Sequence, residues 1–397
     1  LNKLFIEDMD LRGKKVLVRL DLNVPGDSEG NVTGDGRVWA ALPTLKYSLD
    51  QGAALILCSH RGRPKGKVVE KLSLRRVAIR LGELLKHDIR FVPGDPVMGN
   101  DVLAAIKAIK PGEIILLENL RFDPREKKND PAFARELAAL ADLYINDAFP
   151  VSHRCQASVC SVPGRITSAY GYQVKKEEEF LARLLGDVER PYVGILGGAK
   201  VSTKLGVISA FLEQVDKLLI GGGLSYTFMA AMGRPIGKSI FEHHYLATAR
   251  SFLEKYPDKI ILAVDNYVVE DIGPQYESKL VDRIPDGYES IDIGEKTKKL
   301  FAAEIAKAKT VFWNGPLGFF EDPRHAAGTR FIAEEVAKVK ERGGYSVIGG
   351  GDSAAAISQA GLNYRLYSFI STGGGAALEF VEGEKLPGLE ALSDKES

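Results

Sequence analysis

The chain has 397 residues, long for a single hydrophobic core, so two domains of ordinary size are expected. Hydrophobic residues make up 45% and charged residues 27%, the balance of a water-soluble globular protein and not of a disordered or membrane-embedded one. Lys plus Arg number 53 and Asp plus Glu 53, so net charge points to neither nucleic acid nor a membrane surface, and any basic site must be a local patch.

Taken in chain order, apolar runs of strand length occur at 16–20, 54–58, 114–117, 143–145, 192–196, 218–220, 260–264, 310–313, 346–348 and 366–370. Between most of them lie segments of helical period, at 132–140, 208–215, 245–253, 297–306 and 326–339. Strand alternating with helix predicts an α/β protein whose parallel sheets are covered on both faces. The charged stretch 173–185 reads as a helix connecting two domains. Cys58, Cys155 and Cys160 show no metal-ligand spacing, which fits a reducing compartment. No run approaches transmembrane length, and the first residues lack the apolar core of a signal peptide, so a cytoplasmic location is expected.

The polar clusters fall directly after the strands, and open α/β sheets bind ligands beyond the carboxyl ends of their strands. In the first half these loops carry cations: Asp21, Asn23, Arg37, His60, Arg63, Arg121 and Arg154 could surround a small, multiply charged anion. Arginine suits that task, because its planar fork makes bidentate, charge-assisted bonds to phosphate and carboxylate. Each arginine alone would more ordinarily be a surface salt bridge, and Asp21 with Asn23 could be a simple Asx turn before Pro25.

In the second half the loops carry glycines, lysines and acids. Gly197-Gly-Ala-Lys-Val-Ser-Thr-Lys204 is a glycine turn opening a helix; Lys200 and Lys204 share a face if that helix begins by Ala199. Gly349-Gly-Gly-Asp-Ser353 and Ser371-Thr-Gly-Gly-Gly375 are strand-to-helix turns whose bare N–H groups can approach a polyphosphate. Asp352 could hold the phosphates' metal or could be a plain N-cap. Glu321 is a candidate for ribose hydroxyls, near the turn Trp313-Asn-Gly-Pro316. Two look-alikes are set aside. Gly233-Arg-Pro-Ile-Gly237-Lys-Ser239 has one residue too few between its glycines for a phosphate-binding loop. The 349–354 turn matches a loose dinucleotide pattern, but no acid follows at the end of the next strand to bind a ribose.

Together, Arg19-Leu-Asp-Leu-Asn-Val-Pro25, Ser59-His-Arg-Gly-Arg-Pro-Lys-Gly66, Leu117-Glu-Asn-Leu-Arg-Phe122, Asn146-Asp-Ala-Phe149 with His153-Arg154, and the glycine motifs above resemble the phosphoglycerate kinases, in order from about residue 12 to 392. The resemblance implies two Rossmann-like domains facing each other across a cleft and joined by a linker helix: 1–172 for phosphoglycerate, 173–186 as the helix, 187–375 for nucleotide, and 376–397 returning to the first domain. It implies reversible phosphoryl transfer between 1,3-bisphosphoglycerate with MgADP and 3-phosphoglycerate with MgATP, by a monomer. Asp21, Asn23, Arg37, His60, Arg63, Arg121 and Arg154 would then bind the glycerate ligand. Lys204, Gly222, Gly223, Asn314, Glu321, Gly350, Gly351, Asp352 and Ser353 would bind nucleotide, with Asp352 meeting Mg²⁺. Arg37, Lys200, Gly373 and Gly374 would stabilise the phosphoryl group in flight. The chain departs from the family pattern at Arg61, where Leu is common and an added charge inside the anion loop is expected. It departs again at Pro150-Val-Ser152, where Gly-Thr-Ala is usual, and at Gln156, where many members carry His. A nicotinamide-dependent dehydrogenase and a non-catalytic nucleotide-binding protein remain the rival readings of the same architecture.

Overall fold

The computed structural model describes residues 2–395. They form two compact units: one runs up to Glu179 and takes in the residues from Lys385 onward, the other is Phe180–Glu384. In the first unit, β1 (Lys15–Leu20), β2 (Ala54–Cys58), β3 (Ile89–Val92), β4 (Ile114–Leu117), β5 (Leu143–Asp147) and β6 (Thr167–Tyr170) make a parallel sheet in the order β3-β4-β2-β1-β5-β6. Around it lie α1 (Gly36–Asp50), α2 (Arg75–Leu85), α3 (Asn100–Ala108), the short α4 (Pro124–Lys127) and α5 (Pro131–Ala138). The central strands read as unbroken apolar runs because both their faces are covered: every residue of β2, and all but the first of β1, is buried. Val16, Val18, Leu55 and Leu57 belong to one core cluster with Val38, Leu42, Val77 and Leu81 of α1 and α2.

The segment after Lys385 belongs to this unit through specific bonds. Lys3 Nζ donates to the carbonyls of Glu390 and Leu392 at 2.8 and 3.0 Å, Asn146 Nδ2 donates to the Gly388 carbonyl, and the Ser168 amide donates to Ser393 Oγ. The helix α6 (Tyr172–Ala182) carries the chain across the boundary at 179.

In the second unit, the strands β7 (Tyr192–Leu196), β8 (Lys217–Ile220), β9 (Ile260–Leu262), β13 (Thr310–Asn314), β14 (Tyr345–Gly349) and β15 (Phe369–Ile370) form a second parallel sheet, ordered β15-β14-β13-β7-β8-β9. Between β9 and β13 the chain adds an antiparallel sheet of β10 (Asn266–Val269), β11 (Lys279–Val281) and β12 (Glu289–Ile293). The helices are α7 (Leu205–Gln214), α8 (Gly223–Ala231), α9 (Leu246–Lys255), α10 (Glu295–Lys307), α11 (Ala327–Glu341), α12 (Gly351–Gln359) and α13 (Gly375–Val381). The α/β architecture with two parallel sheets is the one the sequence pattern predicts. Strand order reverses between β7 and β13, and such a switch point opens a crevice at the carboxyl ends.

The differences from the sequence pattern have local causes. Strands β3 and β6 lie at the sheet edges, half exposed and not uniformly apolar, so hydrophobic runs miss them. The run 366–370 is strand only at Phe369–Ile370, because Tyr364–Leu366 turns as a short 3-10 helix. No helix among the described residues is long and apolar enough to cross a membrane.

The start of α6 depends on a buried carboxylate. Asp147, at the end of β5, accepts from the amides of Gln173 and Val174 at 2.8 and 3.3 Å, while the Tyr172 amide donates to Thr44 Oγ1 of α1 at 2.9 Å. These bonds satisfy N–H groups that a helix start leaves without partners. The approach is close enough to require glycine at 171, where a Cβ would sit 2.4 Å from Asp147 Oδ1. Burial pushes the Asp147 carboxyl up to about 7, against its bonds to Thr44, Gln173 and Val174. Because the folded value exceeds the unfolded one of about 3.9, this group's contribution to stability falls as pH rises from about 4 through about 7. The variant Asp147→Asn keeps an acceptor and cannot ionise. Its unfolding free energy should gain on the wild type by on the order of 1 kcal/mol or more between about pH 5 and about pH 8. Denaturant titrations of both proteins measure this; a difference that stays constant over that range would exclude the assignment.

Candidate functional site

At the carboxyl edge of the first sheet, the loops after β1, β2 and β4 interlock through backbone and side-chain bonds. The Leu22 amide donates to Ser59 Oγ at 2.8 Å, and the Gly62 amide donates to Asn23 Oδ1 at 2.8 Å. Arg121 Nη1 donates to the Gly62 carbonyl at 2.9 Å, and Asn119 Nδ2 donates to the Arg61 carbonyl at 2.7 Å. Asp21 makes the Asx turn, its Oδ1 accepting the Asn23 amide at 3.1 Å, and its other oxygen is ion-paired with Arg37 of α1. The Asx-turn reading of Asp21 therefore holds.

The cations gather. The charges of Arg19, Arg121, Arg37 and Arg154 all act on the His60 ring, which burial first, and then those charges, hold well below its ordinary pKa. Burial, followed by the charges of Arg19, Arg154 and Arg63, brings the Arg121 guanidinium down to about 10. Arg121 is buried, and its Nε has no partner among the described residues. Arg37 is likewise lowered by burial. Like charges held in mutual repulsion, with few carboxylates among them, stabilise a protein only when an anion neutralises them. Arg63 and Arg154 are exposed, and Arg154 Nε lies 3.1 Å from His153 Nε2.

Arg61 corrects an expectation. Its side chain does not add charge to this cluster but is buried on backbone carbonyls: Nε on Val24 at 3.3 Å, and Nη1 on Gly30 at 2.9 Å and Ser73 at 3.4 Å. The substitution braces the 24–30 loop where the family's common Leu would only pack.

In the second unit the sites lie on the switch point. The loop 197–204 leaves β7, and the Gly197 amide donates to the Asn314 carbonyl of β13 at 2.9 Å. Helix α7 begins only at Leu205, with Lys204 as its N-cap residue, so Lys200 and Lys204 do not share a helical face; the glycines prolong the loop beyond the expected start. Lys204 Nζ is 3.2 Å from the Asn314 carbonyl and also bonds the Asn314 side chain. Burial lowers Lys204 to about 8, partly offset by the charge of Asp352. Lys200 is exposed, and Glu242 feels its charge.

Helix α12 has Gly350 as its N-cap residue, so Asp352 is not the cap but stands exposed in the first turn. An acid in that position complements the dipole and leaves its oxygens free for a cation. The Gly315 amide donates to Ser353 Oγ at 2.8 Å, tying α12 to the loop after β13. Gly374 is the N-cap residue of α13, while the Gly373 amide donates to Ser371 Oγ at 3.1 Å. No cluster of three or more metal-ligating side chains occurs among the described residues. A single carboxylate beside phosphate-binding turns fits Mg²⁺, which typically takes one or two carboxylates and completes its shell with phosphate oxygens and water.

Beside these turns a cavity of about 260 Å³ is lined by Gly198, Gly222, Gly223, Tyr226, Ile240, Pro316 and Phe319, with Glu289, Glu321 and Asp352 as its acids. Its floor is backbone: at Gly222, φ is +66° and a Cβ would come within 2.9 Å of the Gly198 nitrogen and the Pro316 oxygen. Its walls are apolar groups left unusually open, Ile240 at 47% and Phe319 at 38% exposure. A bare floor and apolar walls have the character that suits the flat face of a base. Ile240, Phe319 and Tyr226 were not legible as site residues; scattered apolar side chains give no pattern until the sheet edge gathers them.

Known proteins share this architecture. The family model described as phosphoglycerate kinase matches residues 6–384. The phosphoglycerate kinase of Clostridium tetani is 46% identical over 400 residues, covering 99% of this chain and 98% of that protein. That of Chloroflexus aggregans is 44% identical over 401 residues, covering all of both. Among solved structures, the phosphoglycerate kinase of Coxiella burnetii is similar with a TM-score of 0.87 at 36% identity, covering 98% of each chain. That of Pyrococcus horikoshii gives 0.85 at 32% identity, with the same coverage. With two parallel sheets, a cation cluster on one and a glycine-floored pocket on the other, and with relatives matching end to end, the chain belongs to the phosphoglycerate kinase family.

Proposed function

We propose that the protein catalyses reversible transfer of the acyl phosphate of 1,3-bisphosphoglycerate to ADP, giving 3-phosphoglycerate and ATP. The observation that carries this reading is the division of labour within one chain: crowded, charged arginines in one unit, and in the other a base-sized pocket edged by Asp352, with the half-buried Lys204 on the neighbouring loop. In the reverse direction the acceptor is a carboxylate, already ionised near neutral pH because its pKa is about 3.5 to 4. No general base is needed, and His60, held neutral among arginines, is not arranged as one.

The chemistry then rests on alignment and charge stabilisation. Arg37, Arg121 and Arg154, with His60, Asp21, Asn23 and Arg63, bind the glycerate and its phosphate. The amides of Gly222, Gly223, Gly350 and Gly351, with Lys204, Asn314, Ser353 and Glu321, bind the nucleotide. In transfer toward ATP, a terminal oxygen of ADP forms the new P–O bond as the bond to the carboxylate oxygen breaks. Arg37, Lys200 and the backbone of Gly373 and Gly374 stabilise the charge spread over the phosphoryl oxygens. Asp352 would hold the Mg²⁺ of the nucleotide, and the ion would supply further neutralisation there. The protein acts as a cytoplasmic monomer, with the unit up to Glu179 serving the glycerate and Phe180–Glu384 the nucleotide; the return to the first unit comes at Lys385, not at the expected 376.

Because transfer is direct, the reacting atoms must come within about 3–3.5 Å, with water expelled. Residues for the two ligands belong to different units, so we infer a closing motion between them when both ligands are bound. Small-angle scattering should show a smaller radius of gyration with 3-phosphoglycerate and ATP together than with neither; superimposable curves would rule closure out. In an assay coupling ATP and 3-phosphoglycerate consumption to NADH oxidation, the wild type should turn over. Lys200→Ala should lower kcat by about 10²-fold, the scale of losing one preorganised donor. An unchanged kcat would remove Lys200 from the transition state, and no turnover by the wild type would remove the kinase reading.

A further inference from the structure

Beneath the cation cluster lies a buried chain of polar groups to which the kinase reading gives no task. Arg19, in β1, is fully buried, as are Glu126 of α4 and Ser158. Ser158 Oγ donates to Glu126 Oε1 at 2.6 Å, and its amide donates to Glu126 Oε2 at 3.0 Å. Arg19 Nε donates to Ser158 Oγ at 2.9 Å, and Arg19 Nη1 donates to the Leu20 carbonyl at 2.5 Å. The remaining arm, Nη2, lies 3.2 Å from His60 Nδ1.

This last distance fixes a proton. A guanidinium has only donors and cannot be deprotonated in a protein, so in this pair the ring nitrogen must accept. An accepting Nδ1 carries no hydrogen, which places the ring proton on Nε2. Protonating Nδ1 would set two N–H groups against each other in a buried site. The strongest charges on the ring push the same way: Arg19 of β1, Arg121 after β4, Arg37 of α1 and Arg154 after β5. The ring is 2% exposed, so water cannot readily take over the Arg19 bond. Cys58, at the end of β2, adds no competing charge, since burial raises its thiol to about 12.

We propose that Arg19, anchored through Ser158 on Glu126, is a positioning residue that locks His60 as the neutral Nε2–H tautomer. His60 then offers the glycerate ligand one directional N–H toward an oxygen acceptor, in a site where most other side-chain donors are charged. The arginines supply attraction without much direction; a neutral donor of fixed tautomer discriminates where the acceptor oxygen sits. The choice of ligand rests on the kinase reading above, whereas the tautomer does not depend on it.

The test is a long-range proton–nitrogen NMR spectrum of the ligand-free wild type with labelled imidazoles, His60 being assigned by loss of its signals in His60→Phe. Nδ1 should appear as a bare acceptor and Nε2 as N–H, unchanged from about pH 8 to about pH 5.5, across the range where an ordinary histidine titrates near about 6.5. A ring protonated at Nδ1, or an imidazolium forming in that range, overturns the proposal whether or not the protein is a kinase. In Arg19→Met the tautomers should mix and the ring should begin to titrate; should that variant fail to fold, the wild-type spectrum decides alone. Kinetically, His60→Phe should raise KM for 3-phosphoglycerate about tenfold, the scale of one hydrogen bond to a charged group, with kcat and the KM for ATP little changed. His60→Gln, which restores an N–H donor, should recover most of that loss. Equal KM values for wild type and His60→Phe overturn the ligand role.

Discussion

A parallel sheet points all its strands one way, so the loops leaving their carboxyl ends gather along one edge, where side chains distant in sequence become neighbours. Both ligand sites depend on this constraint. On the first sheet it brings Asp21, His60 and Arg121 together from β1, β2 and β4; on the second it sets Gly197 against Asn314 across the switch between β7 and β13. The central strands are buried on both faces and are largely apolar, which leaves the edge as the place where charge can be displayed. Function is thus confined to loops held by the most rigid part of each unit.

The two edges solve different electrostatic problems. The first stores like charge: Arg121 is buried and Arg37 half-buried, with the pKa of each guanidinium lowered, a state that an anion would relieve. The second keeps charge sparse. It offers amides at helix starts, one half-buried lysine and one exposed acid, which suits an anion that arrives already carrying a metal. Beneath the first edge, Glu126 balances the buried Arg19 through Ser158, so the deepest cation is neutralised from the side away from the ligand.

Much of this was legible in the sequence because the relevant signals are local. A strand's apolar run followed at once by Asp21, His60 or Asn314 states both the element and the edge, and glycines at 221–223 and 349–351 mark where backbone must approach a ligand. What was not legible is long-range or orientational. Arg19 and Ser158 are 139 residues apart, and nothing near either one announces the other. The cation, glycine, cation pattern at 61–63 looked uniformly suited to an anion, yet Arg61 turns inward onto three carbonyls; sequence spacing does not say which way a long side chain folds. The apolar wall of Ile240 and Phe319 carries no periodic signal, and the glycines that delay α7 to Leu205 defeated the helical phase assumed for Lys200 and Lys204.

The central claim is that each sheet edge binds its own ligand. Hydrogen–deuterium exchange of the whole protein, recorded with 3-phosphoglycerate alone and then with ATP and Mg²⁺ alone, tests it most directly. The account predicts slowed exchange in the loops around 21–23, 59–63 and 119–122 with the first ligand, and around 197–204, 221–224 and 349–354 with the second. Protection of the same unit by both ligands would contradict it.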